Sequence, residues 1–91
     1  MERIITDKEA EQIANCGAFG YSPDRCSAVL GWTEEEVSNE ILNKSSRWNK
    51  LYSAGGYRAE YVIDLKLFEQ AQAGDIKSLD KLELRKRKRK A

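Results

Sequence analysis

Residues 57–82 read YRAEYVIDLKLFEQAQAGDIKSLDKL, and this stretch decides the fold. Its first part repeats apolar residues at helical spacing, with Tyr61, Leu65 and Phe68 on one stripe and Ile63 and Leu67 on another. A helix with two apolar stripes needs two partners, so one stripe is expected to face the following helix and the other a neighbouring copy or the chain's own head. Gly74-Asp75 then punctuates the pattern, glycine suiting the left-handed position after one helix and aspartate capping the next. Beyond it Ile76, Leu79 and Leu82 recur every third residue, expected to face back onto the preceding helix. The segment specifies a helical hairpin.

Upstream, helix-start signals recur. Thr6-Asp7-Lys8-Glu9 and Thr33-Glu34-Glu35-Glu36 are both capping boxes, in which the threonine hydroxyl and the third glutamate satisfy each other's backbone N–H groups. Ser22-Pro23 is a third start, with proline where its missing donor costs nothing. The first helix is expected to end near Cys16, the second at Gly31 and the third near Lys44. In Ser45–Gly56, Trp48, Leu51 and Tyr52 have helical spacing while Ser53-Ala54-Gly55-Gly56 reads as a break. The expected architecture is all-α: a three-helix, helix-turn-helix head (1–47), a helical hairpin for packing and oligomerisation (48–84) and a basic tail (85–91).

At 91 residues and 10.4 kDa the chain is one small domain's worth of polypeptide, 41% hydrophobic and 34% charged. Histidine is absent, which removes the commonest general base and metal ligand together with every Ser-His or Cys-His nucleophile pair. No enzyme activity, cofactor, metal site or small-molecule substrate is expected. Cys16 and Cys26 read as small core residues. No apolar run has the roughly 20 residues that a bilayer demands, so no membrane partner is expected and a cytoplasmic location is the expectation.

Charge is uneven. Nine acidic and four basic residues lie at or before Lys44, against six acidic and twelve basic from Ser45 onward, netting −5 and +6. Six positives are consecutive, Arg85, Lys86, Arg87, Lys88, Arg89 and Lys90; such a block is commonly a disordered arm attracted to a polyanion. Glu60 and Asp64, four apart, have the spacing of a metal or acid–base pair, but with no third ligand they read as a solvated face. Trp48, Tyr52 and Tyr57 could stack on bases and read instead as packing anchors.

A two-turn helix, a glycine turn and a second capped helix have the layout of a helix-turn-helix unit, here Ser22 to Lys44. Together with the segments GYSPDRCSAVLGW (20–32), YRAE (57–60), LFEQA (67–71) and AGDIKSL (73–79), the chain resembles the small terminase subunit family of tailed phages and prophages. That resemblance implies a non-catalytic protein that binds double-stranded viral DNA through its head, forms a homo-oligomeric ring through its hairpin and recruits the large ATPase and nuclease subunit.

Glu34, Glu35 and Glu36 would repel phosphates at the start of the third helix. Candidate DNA contacts therefore shift to Asn39, Asn43, Lys44 and Arg47, with the run Arg85–Lys90 supplying sequence-independent attraction. Ile63 and Leu67 are the expected oligomer contacts. Two other readings fit the same residues: a dimeric helix-turn-helix transcriptional regulator, and a protein-interaction module whose basic arm meets an acidic partner.

Overall fold

A computed structural model of the protein describes residues 3–90, with the Lys90 side chain outside the described part. The chain is all-helical, 80% of it in five helices among the described residues: α1 (Asp7–Phe19), α2 (Pro23–Leu30), α3 (Glu34–Leu42), α4 (Arg47–Gln72) and α5 (Ile76–Lys90). These form two compact units divided between Ala59 and Glu60, so that α4 contributes to both.

In the first unit the start signals act as the sequence predicts. Glu9 N–H donates to the Thr6 hydroxyl at 3.1 Å and Thr6 N–H donates to the Glu9 carboxylate at 3.0 Å; Thr33 and Glu36 repeat the arrangement at 3.1 and 3.0 Å. Ser22 differs. It has an extended backbone before Pro23, but its hydroxyl donates to the Asp24 carboxylate and makes no cap bond to the helix. Around these ends Ile13, Cys16, Cys26, Trp32, Val37 and Trp48 form the buried core, flanked by half-buried Ile5, Tyr21, Leu30, Ile41, Leu51 and Tyr52. Both cysteines are buried free thiols.

The expected break at Ser53–Gly56 is absent, and α4 runs through it. Packing explains why. A Cβ at Gly55 would overlap the Ala14 carbonyl, and one at Gly17 would overlap the Tyr52 carbonyl. The glycines let the backbones of α1 and α4 touch, so a sequence that reads as punctuation is a helix crossing with no side chains between the chains. For the same reason α1 does not stop near Cys16: Gly17 stays helical, and the helix ends at Gly20, whose φ is +68°. Ahead of α4, the Ser46 hydroxyl accepts from Asn49 N–H at 3.0 Å and donates to the Glu40 carbonyl at 3.2 Å, while Asn49 Nδ2 donates to the Ile41 carbonyl at 2.6 Å. Tyr52 stacks on Trp48 with ring centroids 5.4 Å apart and donates its hydroxyl proton to the Tyr21 carbonyl at 2.7 Å.

In the second unit the far half of α4 and α5 form the expected hairpin. Gly74 N–H donates to Ala71 O at 3.0 Å and Asp75 N–H to Gln70 O at 3.1 Å, the paired bonds of a Schellman ending, with Gly74 at φ +101°. Asp75 then caps α5, its carboxylate accepting from Lys77 N–H at 3.1 Å and from the Ser78 hydroxyl at 2.9 Å.

The seam between the helices is less apolar than expected. Tyr61, Leu65 and Phe68 are exposed, and the half-buried positions on α4 are Asp64, Leu67 and Ala71. On α5, Ile76 and Leu79 are exposed, whereas Ser78 is buried, Leu82 and Arg85 are half-buried, and the Ser78 hydroxyl oxygen lies 3.0 Å from the Gln70 side-chain amide. The cap fixes this rotation, because Asp75 draws Ser78 toward itself and the turns that follow inherit its phase.

Candidate nucleic-acid interface

The basic run is not a detached tail. Helix α5 extends through Lys90, and positive side chains suit its C-terminal turns, where backbone carbonyls leave partial negative charge. Two arginines one turn apart meet the acid pair of α4. Arg85 Nε lies 2.6 Å from Asp64 Oδ1, Arg89 Nη2 lies 2.7 Å from Asp64 Oδ2, and Arg89 Nε lies 3.9 Å from Glu60 Oε2. The hydrogen bond from Arg85, reinforced by that from Arg89, holds the Asp64 carboxyl below the usual carboxylate range.

The expectation that Glu60 and Asp64 form a solvated face is therefore corrected for Asp64, whose side chain is 23% exposed and bonded to two guanidinium groups. The overlooked signal was spacing: acids four apart before the Gly74 turn and arginines four apart after it fall opposite each other in an antiparallel pair.

The remaining cations divide. Lys86 pairs with Glu83 at 3.5 Å on the helix surface. Arg87 and Lys88 are exposed and make no ion pair among the described residues. Lys88 lines a hollow of about 290 Å³ together with Glu60, Arg85 and Arg89. A second, mostly apolar hollow of about 270 Å³ is lined by Tyr61, Asp64, Leu65, Phe68 and Leu82. Of the expected oligomer contacts, Ile63 is 47% exposed and Leu67 is half-buried. The Lys90 side chain, also expected to meet DNA, lies outside the described residues.

The candidates in the first unit lie on α3 and the turn after it. Asn39 is exposed on α3. Asn43 ends that helix, and its Oδ1 accepts from Ser45 N–H at 3.1 Å, which leaves its amide NH₂ as donor. Lys44 is exposed; Arg47 is exposed too, but its Nη1 reaches the Ile5 carbonyl at 3.3 Å. At the other end of α3, Glu34 and Glu35 are exposed and Glu36 pairs with Arg3 at 2.6 Å. Thr33 N–H and then Arg3 lower the Glu36 carboxyl.

Of the three aromatic candidates, Trp48 is fully buried and half-buried Tyr52 is committed to the core through its hydroxyl, whereas Tyr57 is 73% exposed. Arg3 also covers the Trp32 ring at 4.2 Å, and Trp32 Nε1 donates to the Glu9 carboxylate at 2.7 Å. Neither contact was legible, because both join residues brought together only by the fold. Among the described residues no cluster of His, Cys, Asp or Glu could hold a metal ion, and no helix is long and apolar enough to cross a membrane. No protein family, curated protein or solved structure matches the chain.

Proposed function

We propose that the protein is a non-catalytic, DNA-binding recognition subunit of the phage packaging type, which assembles through its hairpin and presents double-stranded viral DNA to a large ATPase and nuclease subunit in the bacterial cytoplasm. One observation carries the reading: from Glu60 to Arg89 no apolar side chain is buried, and Tyr61, Val62, Ile63, Leu65, Phe68, Ile76, Leu79 and Leu84 are all 40–73% exposed. A hairpin that shields so little of its apolar surface is stabilised by a second copy. Assembly also multiplies a modest positive charge per chain into a collective grip on DNA. The layout of α2, Gly31 and α3 supports a helix-turn-helix head, with Asn39, Asn43 and Lys44 as its DNA-facing candidates and Arg87 and Lys88 adding phosphate attraction.

Solution mass and DNA binding test the reading together. Sedimentation equilibrium should give a closed oligomer larger than a dimer, and duplex DNA should bind with an affinity that falls steeply with salt. A dimer with two recognition helices about one DNA turn apart would instead favour a transcriptional regulator. Glu34, Glu35 and the capture of two arginines by Asp64 favour a protein-interaction module. A monomer indifferent to DNA at low salt would overturn both DNA-binding readings.

A further inference from the structure

The hollow lined by Glu60, Arg85, Lys88 and Arg89 brings three cations together beside one loosely held carboxylate. The two acids there do different things. Asp64 touches both arginines at 2.6 and 2.7 Å and is mostly shielded, so it fixes where the guanidinium groups sit. Glu60 reaches Arg89 only at 3.9 Å, with its side chain 56% exposed, a geometry in which an ion pair contributes little. Lys88 has no acid partner among the described residues. A tetrahedral anion offers several strong acceptor oxygens and can take an arginine fork in bidentate fashion, which a carboxylate at 3.9 Å does not.

We propose that this hollow is a phosphate-binding site for the nucleic-acid backbone, in which a phosphodiester displaces Glu60 and is held by Lys88 and Arg89 while Asp64 keeps Arg85 and Arg89 in place. The inference rests on the DNA-binding reading above and deepens it: the basic run is divided by role. Arg85 is mainly a hairpin strut, Arg89 is shared between strut and ligand, and Lys88 is the free ligand. Glu60 is an internal competitor, which makes the site take a phosphate only when that phosphate is delivered at high local concentration along a polymer.

The full-length chain and its E60Q, E69Q and K88Q variants, titrated with one short DNA duplex over a range of salt, test the site. Glu69 is exposed on α4 about two and a half turns beyond Glu60, so E69Q makes the same change of net charge outside the hollow. E60Q should bind about threefold more tightly than E69Q. K88Q should weaken binding and make the slope of log affinity against log salt shallower by about one, the release expected for one lost phosphate contact.

In parallel, the side-chain Nε–H resonances of Arg85 and Arg89 should shift with duplex DNA, and with inorganic phosphate at matched ionic strength only at far higher concentration. Tighter binding of inorganic phosphate than of DNA would overturn the phosphodiester assignment. Equal affinities for E60Q and E69Q, or an unchanged slope for K88Q, would overturn the hollow while leaving DNA binding by the chain intact. Failure of every form, wild type included, to bind DNA at low salt would overturn the DNA-binding reading and the site with it.

Discussion

Gly55 shares with Gly17 the closest backbone approach among the glycines, and its missing side chain is what lets α4 lie against the Ala14 carbonyl. Gly55→Ala gains helix propensity yet forces backbone from backbone. It is expected to destabilise the first unit by about 3 kcal/mol, the upper range for overpacking. Gly56→Ala is the control: its Cβ would lie 3.3 Å from the Gly17 carbonyl oxygen, a tight fit that a small shift relieves, so the propensity gain of up to about 1 kcal/mol offsets most of the cost. Urea midpoints of the two variants should differ clearly in that order, and equal midpoints would contradict the backbone contact. The pair also shows where reading residues one at a time fails. In Ser53-Ala54-Gly55-Gly56 local propensity favours a break, and only the partner helix, some forty positions upstream, makes glycine the residue that a continuous helix requires. Trp48 is a different case, since its burial was expected but its Nε1 has no hydrogen-bond partner among the described residues, an unusual cost for a buried donor.

The elements whose ends are fixed by local chemistry were the legible ones. Both capping boxes, Pro23, Gly31 and the Gly74-Asp75 turn act within four residues of themselves, so neighbours in sequence suffice to specify them. Thr33→Ala should therefore cost about 1 kcal/mol by freeing the Glu36 N–H, measurable as a lower thermal midpoint without loss of helical fold. The rotation of α5 was not legible, since three leucine-type residues at three-residue spacing imply an apolar seam until the Asp75–Ser78 bond sets the phase. Nor was the extension of α5 through the basic run, where six consecutive positives repel one another and Asp64 offsets two of them, Arg85 and Arg89. Asp64→Asn should fray that end, and amide hydrogen exchange at residues 85–89 should accelerate while exchange in α1–α3 stays unchanged. Unchanged protection at 85–89 would show that the arginines hold their turns without the carboxylate.

For the molecule as a whole, pH dependence follows from groups in both units. Glu9, Glu36, Asp64 and Asp75 all have carboxyls lowered in the folded chain, by hydrogen bonds from Thr6, Thr33, Arg85 and Ser78 respectively. A lowered carboxyl binds protons less readily folded than unfolded, so its contribution is complete above the ordinary carboxylate range and is lost as pH falls below about 4. Burial, and next the neighbouring Cys16, pushes the Cys26 thiol up to about 12, and burial raises Tyr52 too. Those contributions are present below an ordinary thiol's pKa and are lost as pH rises from about 9 toward 12. Urea midpoints should form a plateau between about pH 5 and 9 and fall on both sides. A midpoint that rises on acidification to pH ~3 would contradict the carboxylate assignments.

The meeting of α1 and α4 at Gly17 and Gly55 has one more implication. Most helix pairs can be spaced wider or closer by exchanging one side chain for another, so their geometry drifts as sequences change. Here main chain rests directly on main chain, and the separation is set by the bulk of the peptide group itself. That crossing is a fixed datum: substitutions in the rest of the core have to adapt to it, and an engineer seeking to reshape the head has every joint to adjust except this one.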